Sequence, residues 1–165
     1  MSDKTIESML KQLAGLDCAG MYLDDFLLTW DRSDDEISAV FKTAEILMQM
    51  RKENISPRVF DSGLAVSLFR DNSTRTRFSY SSAANLLGLT VQDLDEGKSQ
   101  IAHGETVRET ANMVSFMADV IGIRDDLFLD EGHRYMQEVS QAIQQGYEAP
   151  ALEWFARPLA PHHSY

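Results

Sequence analysis

At 165 residues the chain has room for one domain with a sizeable core, and 44% hydrophobic against 25% charged residues is the balance of a globular protein. A formal net charge of −11 argues against a nucleic-acid partner, and no run of ~18 apolar residues offers a membrane span. The one cysteine, Cys18, excludes an internal disulfide, and the opening Met1-Ser2-Asp3-Lys4 lacks the apolar core of a signal peptide, so the cytoplasm is the expected compartment.

Apolar residues at Ile6, Met9, Leu10 and Leu13 have helical spacing over residues 3–15. Ser33-Asp34-Asp35-Glu36 has the form of a helix start, a capping residue followed by acids. The helix it opens should turn Ile37, Val40, Phe41, Ala44, Leu47 and Met48 inward and end at Arg51-Lys52. A turn over Asn54 to Pro57 leads to an apolar run at 63–69, read as a strand buried on both faces. A helix over 74–87 follows, closed by Gly88. Thr90 to Leu94 reads as a second strand, Asp95 to Gly104 as a polar loop, and Glu105 to Asp119 as a helix with Val107, Ala111, Val114 and Met117 or Ala118 on its apolar stripe. Val120 to Ile123 reads as a third strand ending at Arg124, and Gly132 to Gln145 as a helix carrying Tyr135, Met136, Val139 and Ile143 on one side. Trp30 and Trp154 are expected to be packing residues, and Asp125-Asp126 a simple turn. Strands and helices alternating at these lengths predict an α/β fold with a parallel sheet.

The stretch Phe69-Arg70-Asp71-Asn72-Ser73-Thr74-Arg75-Thr76-Arg77 carries the most chemistry. It places Arg70, Arg75 and Arg77 in an otherwise acidic chain, with hydroxyls and amides between them. A strand ending in such residues and turning into a helix can hold a phosphate. Backbone N–H groups at a helix start point outward, the helix dipole favours an anion there, and arginine adds a planar fork. The same composition also suits a solvated loop. What favours a site is convergence: Arg70 to Arg77, the 95–104 loop and Arg124 all follow strand ends, where parallel sheets bind ligands.

Ser73-Thr74-Arg75-Thr76-Arg77 resembles the carbamoyl-phosphate signature of the aspartate/ornithine carbamoyltransferase family. Ser99 to Thr106 resembles the family's mobile loop, and Ile121-Gly122-Ile123-Arg124 the strand whose terminal arginine touches the carbamoyl group. The wording of Phe69 to Tyr80, with Asp95 to Gln100, is nearest to the YgeW-like branch, often grouped with the knotted carbamoyltransferases. The resemblance covers about residues 22–147 and implies a three-layer α/β/α domain around a central parallel sheet. It implies that Ser73, Thr74, Arg75 and Thr76 hold the phosphate, and that Arg124 with Thr76 polarises the carbamoyl carbonyl. Gln100 and His103 would come from the loop, in relatives from a neighbouring subunit of a trimer. His103 also reads as an ordinary loop histidine, and Arg77 either as a ligand or as a structural partner of an acid. Neither metal nor cofactor is implied.

The chain departs from the family in two places. No lysine stands near His103 and Gly104, where some relatives have one, and no His-Pro-x-Gln motif follows Arg124. The expected organisation is an N-terminal helix (1–21), a carbamoyl-phosphate-binding domain (22–147) and a divergent tail (148–165) with Pro150, Pro158 and Pro161, the acceptor-binding domain being absent. The expectation is therefore the carbamoyl-phosphate-binding half of a carbamoyltransferase, truncated and inactive alone. The alternative is a non-catalytic phosphate-binding or oligomerisation module.

Overall fold

The computed structural model describes residues 5–70, 73–95, 106–126 and 128–148. The chain forms two compact units that divide between Arg58 and Val59.

In the first unit, helix α1 (Ile6–Leu13) is capped by the Thr5 side chain, which accepts from the Ser8 N–H, and buries Met9. Helix α2 (Asp34–Lys52) starts in a full capping box, with Ser33 and Glu36 satisfying each other's backbone donors. It ends at the basic pair Arg51 and Lys52, as expected. Its inward face differs from the expected one. Glu36, Ala39 and Ile46 are buried, while Val40, Phe41 and Met48 are 42%, 68% and 57% exposed. The α1 that packs on α2 is only eight residues long, so much of the apolar surface of α2 stays outside. Arg32 supports the buried Glu36, which lies 3.8 Å away, and also pairs with Asp24 at 2.7 Å. Trp30 is not a packing residue, being 79% exposed; Trp154 lies outside the described residues.

The second unit contains the sheet. Strands β1 (Leu64–Phe69), β2 (Thr90–Asp93) and β3 (Val120–Arg124) are all parallel in the order β2-β1-β3. Central β1 is buried from Ala65 to Phe69, as a strand covered on both faces must be. Helix α3 (Thr74–Leu87) ends at Gly88, whose φ of 106° suits a residue without a Cβ. Ala84 of α3 packs with Ala65 and Leu89 on one face. Helices α4 (Val107–Ser115) and α5 (Glu131–Glu148) cover the other, where Ala111, Tyr135, Val139 and Ala142 meet Leu68. The expected three-layer α/β/α domain is thus present. Helix α4 stops short of the expected Asp119 because that residue is used elsewhere: its carboxylate accepts from the Leu64 N–H at 2.8 Å and fixes the start of β1.

This topology creates a crevice. After β1 the chain leaves toward α3 on one face, and after β3 toward α5 on the other. Adjacent strands whose connections depart in opposite directions leave an opening beyond their carboxyl ends. The register places Phe69 beside Arg124, and the Arg70 N–H donates to the Arg124 carbonyl at 3.0 Å, so the two strand ends stay bonded up to the rim.

Candidate functional site

Three of the sequence-predicted residues meet at that rim. Ser73 is the N-cap of α3 but its side chain makes no capping bond; its hydroxyl instead lies 2.8 Å from that of Thr76. Thr76 Oγ1 in turn accepts from Arg124 Nη1. A continuous chain of polar groups thus runs Ser73–Thr76–Arg124 across the mouth of the crevice. Thr74 and Arg75 occupy the exposed first turn of α3, and among the described residues Arg75 makes no hydrogen bond or ion pair. Gln100 and His103 lie outside the described residues.

The start of α3 differs from the other α-helix starts among the described residues. Acids occupy the first turns of α1, α2, α4 and α5, at Glu7, Asp34 to Glu36, Glu109 and Glu131. The first turn of α3 has none, and its N-cap side chain is turned aside. The N–H groups of its first turn and its dipole favour an anion, beside the guanidinium of Arg75.

Arg77 resolves to the structural alternative. Its Nη1 lies 2.6 Å from both Asp93 carboxylate oxygens, and Nη2 donates to the Phe69 carbonyl at 2.6 Å. Asp93 also accepts from Ser67 Oγ at 2.6 Å. Arg77 therefore ties α3 to β2 and to the last carbonyl of β1, which fixes the helix start over the strand end. Tyr80 ties the same helix to the sheet: its hydroxyl donates to the Val66 carbonyl at 2.9 Å, and its ring meets Phe69 edge-on at 5.5 Å. Burial pushes the Tyr80 hydroxyl above the usual phenol range, opposed by a hydrogen bond with the Gly122 backbone. Gly122 leaves room for that ring, since a Cβ there would lie 2.5 Å from it.

Two acids after β3 are not a simple turn. Asp125, with a side chain only 4% exposed, pairs with Arg70 at 3.0 Å, and the Arg70 guanidinium stacks 3.7 Å over the Tyr135 ring. Asp126 pairs with Arg124 Nη2 at 2.7 Å. The available signal was position: both acids directly follow a strand end that carries an arginine. The pairing itself needs the β1–β3 register, which single residues do not reveal. Farther out, Glu109 closes a capping box with Thr106 at the start of α4, and bonds from the Thr106 backbone and then its hydroxyl hold the carboxyl below the usual glutamate range.

The chain is similar to known proteins over most of its length. Residues 24–149 match the model of the aspartate/ornithine carbamoyltransferase carbamoyl-P binding domain. Over 149 residues the chain is 58% identical to YgeW of Escherichia coli K12, itself named only as a candidate carbamoyltransferase, covering 90% of this chain and 37% of that protein. It is 33% identical over 116 residues to the catabolic ornithine carbamoyltransferase of Treponema denticola, covering 70% of this chain and 34% of that one. The ornithine carbamoyltransferase structure from Pyrococcus furiosus superposes with a TM-score of 0.63 at 27% identity, over 72% of this chain and 36% of that one. The chain thus spans little more than a third of the length of each. The matched segment contains the strand ends, the α3 start and Arg124, and it is on this segment that the chain belongs to the aspartate/ornithine carbamoyltransferase family, as its carbamoyl-phosphate-binding domain.

Proposed function

We propose that this chain forms the donor half of an enzyme that moves a carbamoyl group from carbamoyl phosphate to an amine. The observation that carries the reading is the acid-free start of α3 facing Arg124, with Ser73 and Thr76 between them. The phosphate would sit on the α3 N–H groups, Ser73, Thr74 and Arg75. The carbamoyl oxygen would lie toward Arg124 and Thr76. The amine attacks the carbonyl carbon, negative charge grows on that oxygen, and Arg124 and Thr76 stabilise it as fixed donors. The carbon–oxygen bond to phosphate then breaks, phosphate leaves with the bonding pair, and the amine's proton passes to the departing phosphate. Holding the two reactants together supplies much of the remaining acceleration. By resemblance, Gln100 and His103 would complete the pocket.

The rest of the reading comes from resemblance. The intact enzyme is a cytoplasmic homotrimer in amino acid metabolism, and an amine acceptor binds in the portion of the relatives that this chain does not span. By itself the 165-residue chain would bind carbamoyl phosphate weakly and transfer nothing, because closure of two domains over the ligand normally completes such sites.

Calorimetric titration with carbamoyl phosphate and with inorganic phosphate tests the core of this reading. Preference for carbamoyl phosphate is expected, with about a hundred-fold loss in Arg75→Ala and about ten-fold or more in Arg124→Ala, the scale of charge-assisted bonds to an anion. Equal affinity for both ligands, unaffected by Arg124→Ala, would favour the alternative of a non-catalytic phosphate-binding module. Ureido product formed from carbamoyl phosphate and an amine by the purified chain would refute inactivity.

A further inference from the structure

The first turn of α3 and the end of β3 face each other across the rim, yet the backbone of α3 lies over β1 and β2. Side chains make its reach to β3. Thr76 and Tyr80 stand four residues apart and share a face of the helix, while Gly122 and Arg124 stand two apart and share a face of the sheet. Thr76 meets Arg124, and the Tyr80 ring lies over Gly122. Four helical residues advance about 6 Å and two strand residues about 6.6 Å, so the two contacts are matched in spacing.

The inner contact is the stiffer one. The Tyr80 hydroxyl donates to the Val66 carbonyl at 2.9 Å and also bonds with the Gly122 backbone. The ring meets Phe69, the register partner of Arg124, edge-on at 5.5 Å. Held at its hydroxyl and at its ring, the side chain cannot swing aside without losing both contacts. It lies so close to β3 that a Cβ on residue 122 would stand 2.5 Å from the ring. Glycine at 122 thus sets how deep Tyr80 sits, and the depth of Tyr80 sets how high α3 rides above β3, one turn from Thr76.

We infer that Tyr80, seated on Gly122, is a positioning residue of the pocket: it fixes the separation between the start of α3 and the end of β3, and so holds Thr76 against Arg124. This rests on the reading of the rim as a carbamoyl-phosphate pocket. Tyr80 touches no ligand in this role. It acts through the placement of two elements, and a displacement of less than an ångström there is felt by a ligand that must reach both.

Calorimetry on the 165-residue chain tests this, with carbamoyl phosphate and inorganic phosphate as probes and every variant kept below its unfolding transition. Gly122→Ala should weaken carbamoyl phosphate about ten-fold by lifting α3. Adding Tyr80→Leu, which removes the ring that the new methyl meets, should bring that loss back to about three-fold. Tyr80→Phe keeps the ring, ends the hydroxyl bonds and should weaken binding about three-fold. A residue that only stabilised the fold would lower the melting temperature and leave the affinity of the folded chain unchanged. Folded Gly122→Ala that binds as tightly as wild type, or whose loss Tyr80→Leu does not relieve, would overturn the role of Tyr80 and leave the pocket reading intact. If Gly122→Ala does not fold, Tyr80→Phe decides, and wild-type affinity there would overturn the role. A wild-type chain that binds neither probe would overturn the pocket reading, and this role with it.

Discussion

At the scale of single residues, the rim of the crevice is held by contacts packed beneath it. Asp125 is buried against Arg70, so Asp125→Ala leaves a partly buried guanidinium over Tyr135 without that carboxylate. A cost of about 1–3 kcal/mol is expected, below that of a fully buried pair because Arg70 retains solvent, and urea unfolding would measure it. Gly122→Ala drives a methyl into the Tyr80 ring and should cost about 1–3 kcal/mol by the same measurement. An alanine at 122 that leaves the unfolding midpoint unchanged would show that Tyr80 does not hold α3 to the sheet. Sequence reading named Ser73, Thr76 and Arg124 correctly as neighbours, because each follows a strand end or starts a helix. It left Arg77 open, since its partner Asp93 lies on β2 and comes beside Ser67 only through sheet register. It read Asp125 and Asp126 as a turn for the same reason.

At the scale of elements, boundaries were legible where a local signal sets them. The Ser33 capping box, the left-handed Gly88 and the acid-free start of α3 each mark an end in the residues themselves. What sequence could not show was the direction of α2, because an apolar stripe wider than its partner helix has no intrinsic preference for which part is buried. The α4 capping box gives a prediction with a sign. The Glu109 carboxyl is held below its ordinary range, so its contribution is full above the unfolded-state value and is lost as pH falls through the depressed folded-state value. The melting temperatures of wild type and Glu109→Gln should therefore differ at neutral pH and converge on acidification below the ordinary glutamate range. A gap that widens on acidification would contradict this.

At the scale of the molecule, strand β1 is the member that both other strands and both helical layers depend on. Leu68→Ala opens a space beneath α4 and α5 and should destabilise by about 2–5 kcal/mol, whereas Val91→Ala on edge strand β2 should cost less than half as much. Chemical denaturation of the two variants gives the comparison, and equal costs would contradict the central position of β1. The second unit was legible as an α/β domain because its strands and helices alternate at standard lengths. The division at Arg58 and Val59 was not, since the 53–63 connection carries no composition shift that distinguishes it from an ordinary loop.

The bond from the Arg70 amide to the Arg124 carbonyl has a consequence for how such a domain can change over generations. Side chains alternate along a strand, so a single inserted or deleted codon between those for Val120 and Arg124 would turn Arg124 to the opposite side of the sheet. Every residue of the pocket would survive in the gene, and the pocket would be gone. Under the proposed reading, the length of β3 is as much a part of the binding chemistry as the arginine at its end.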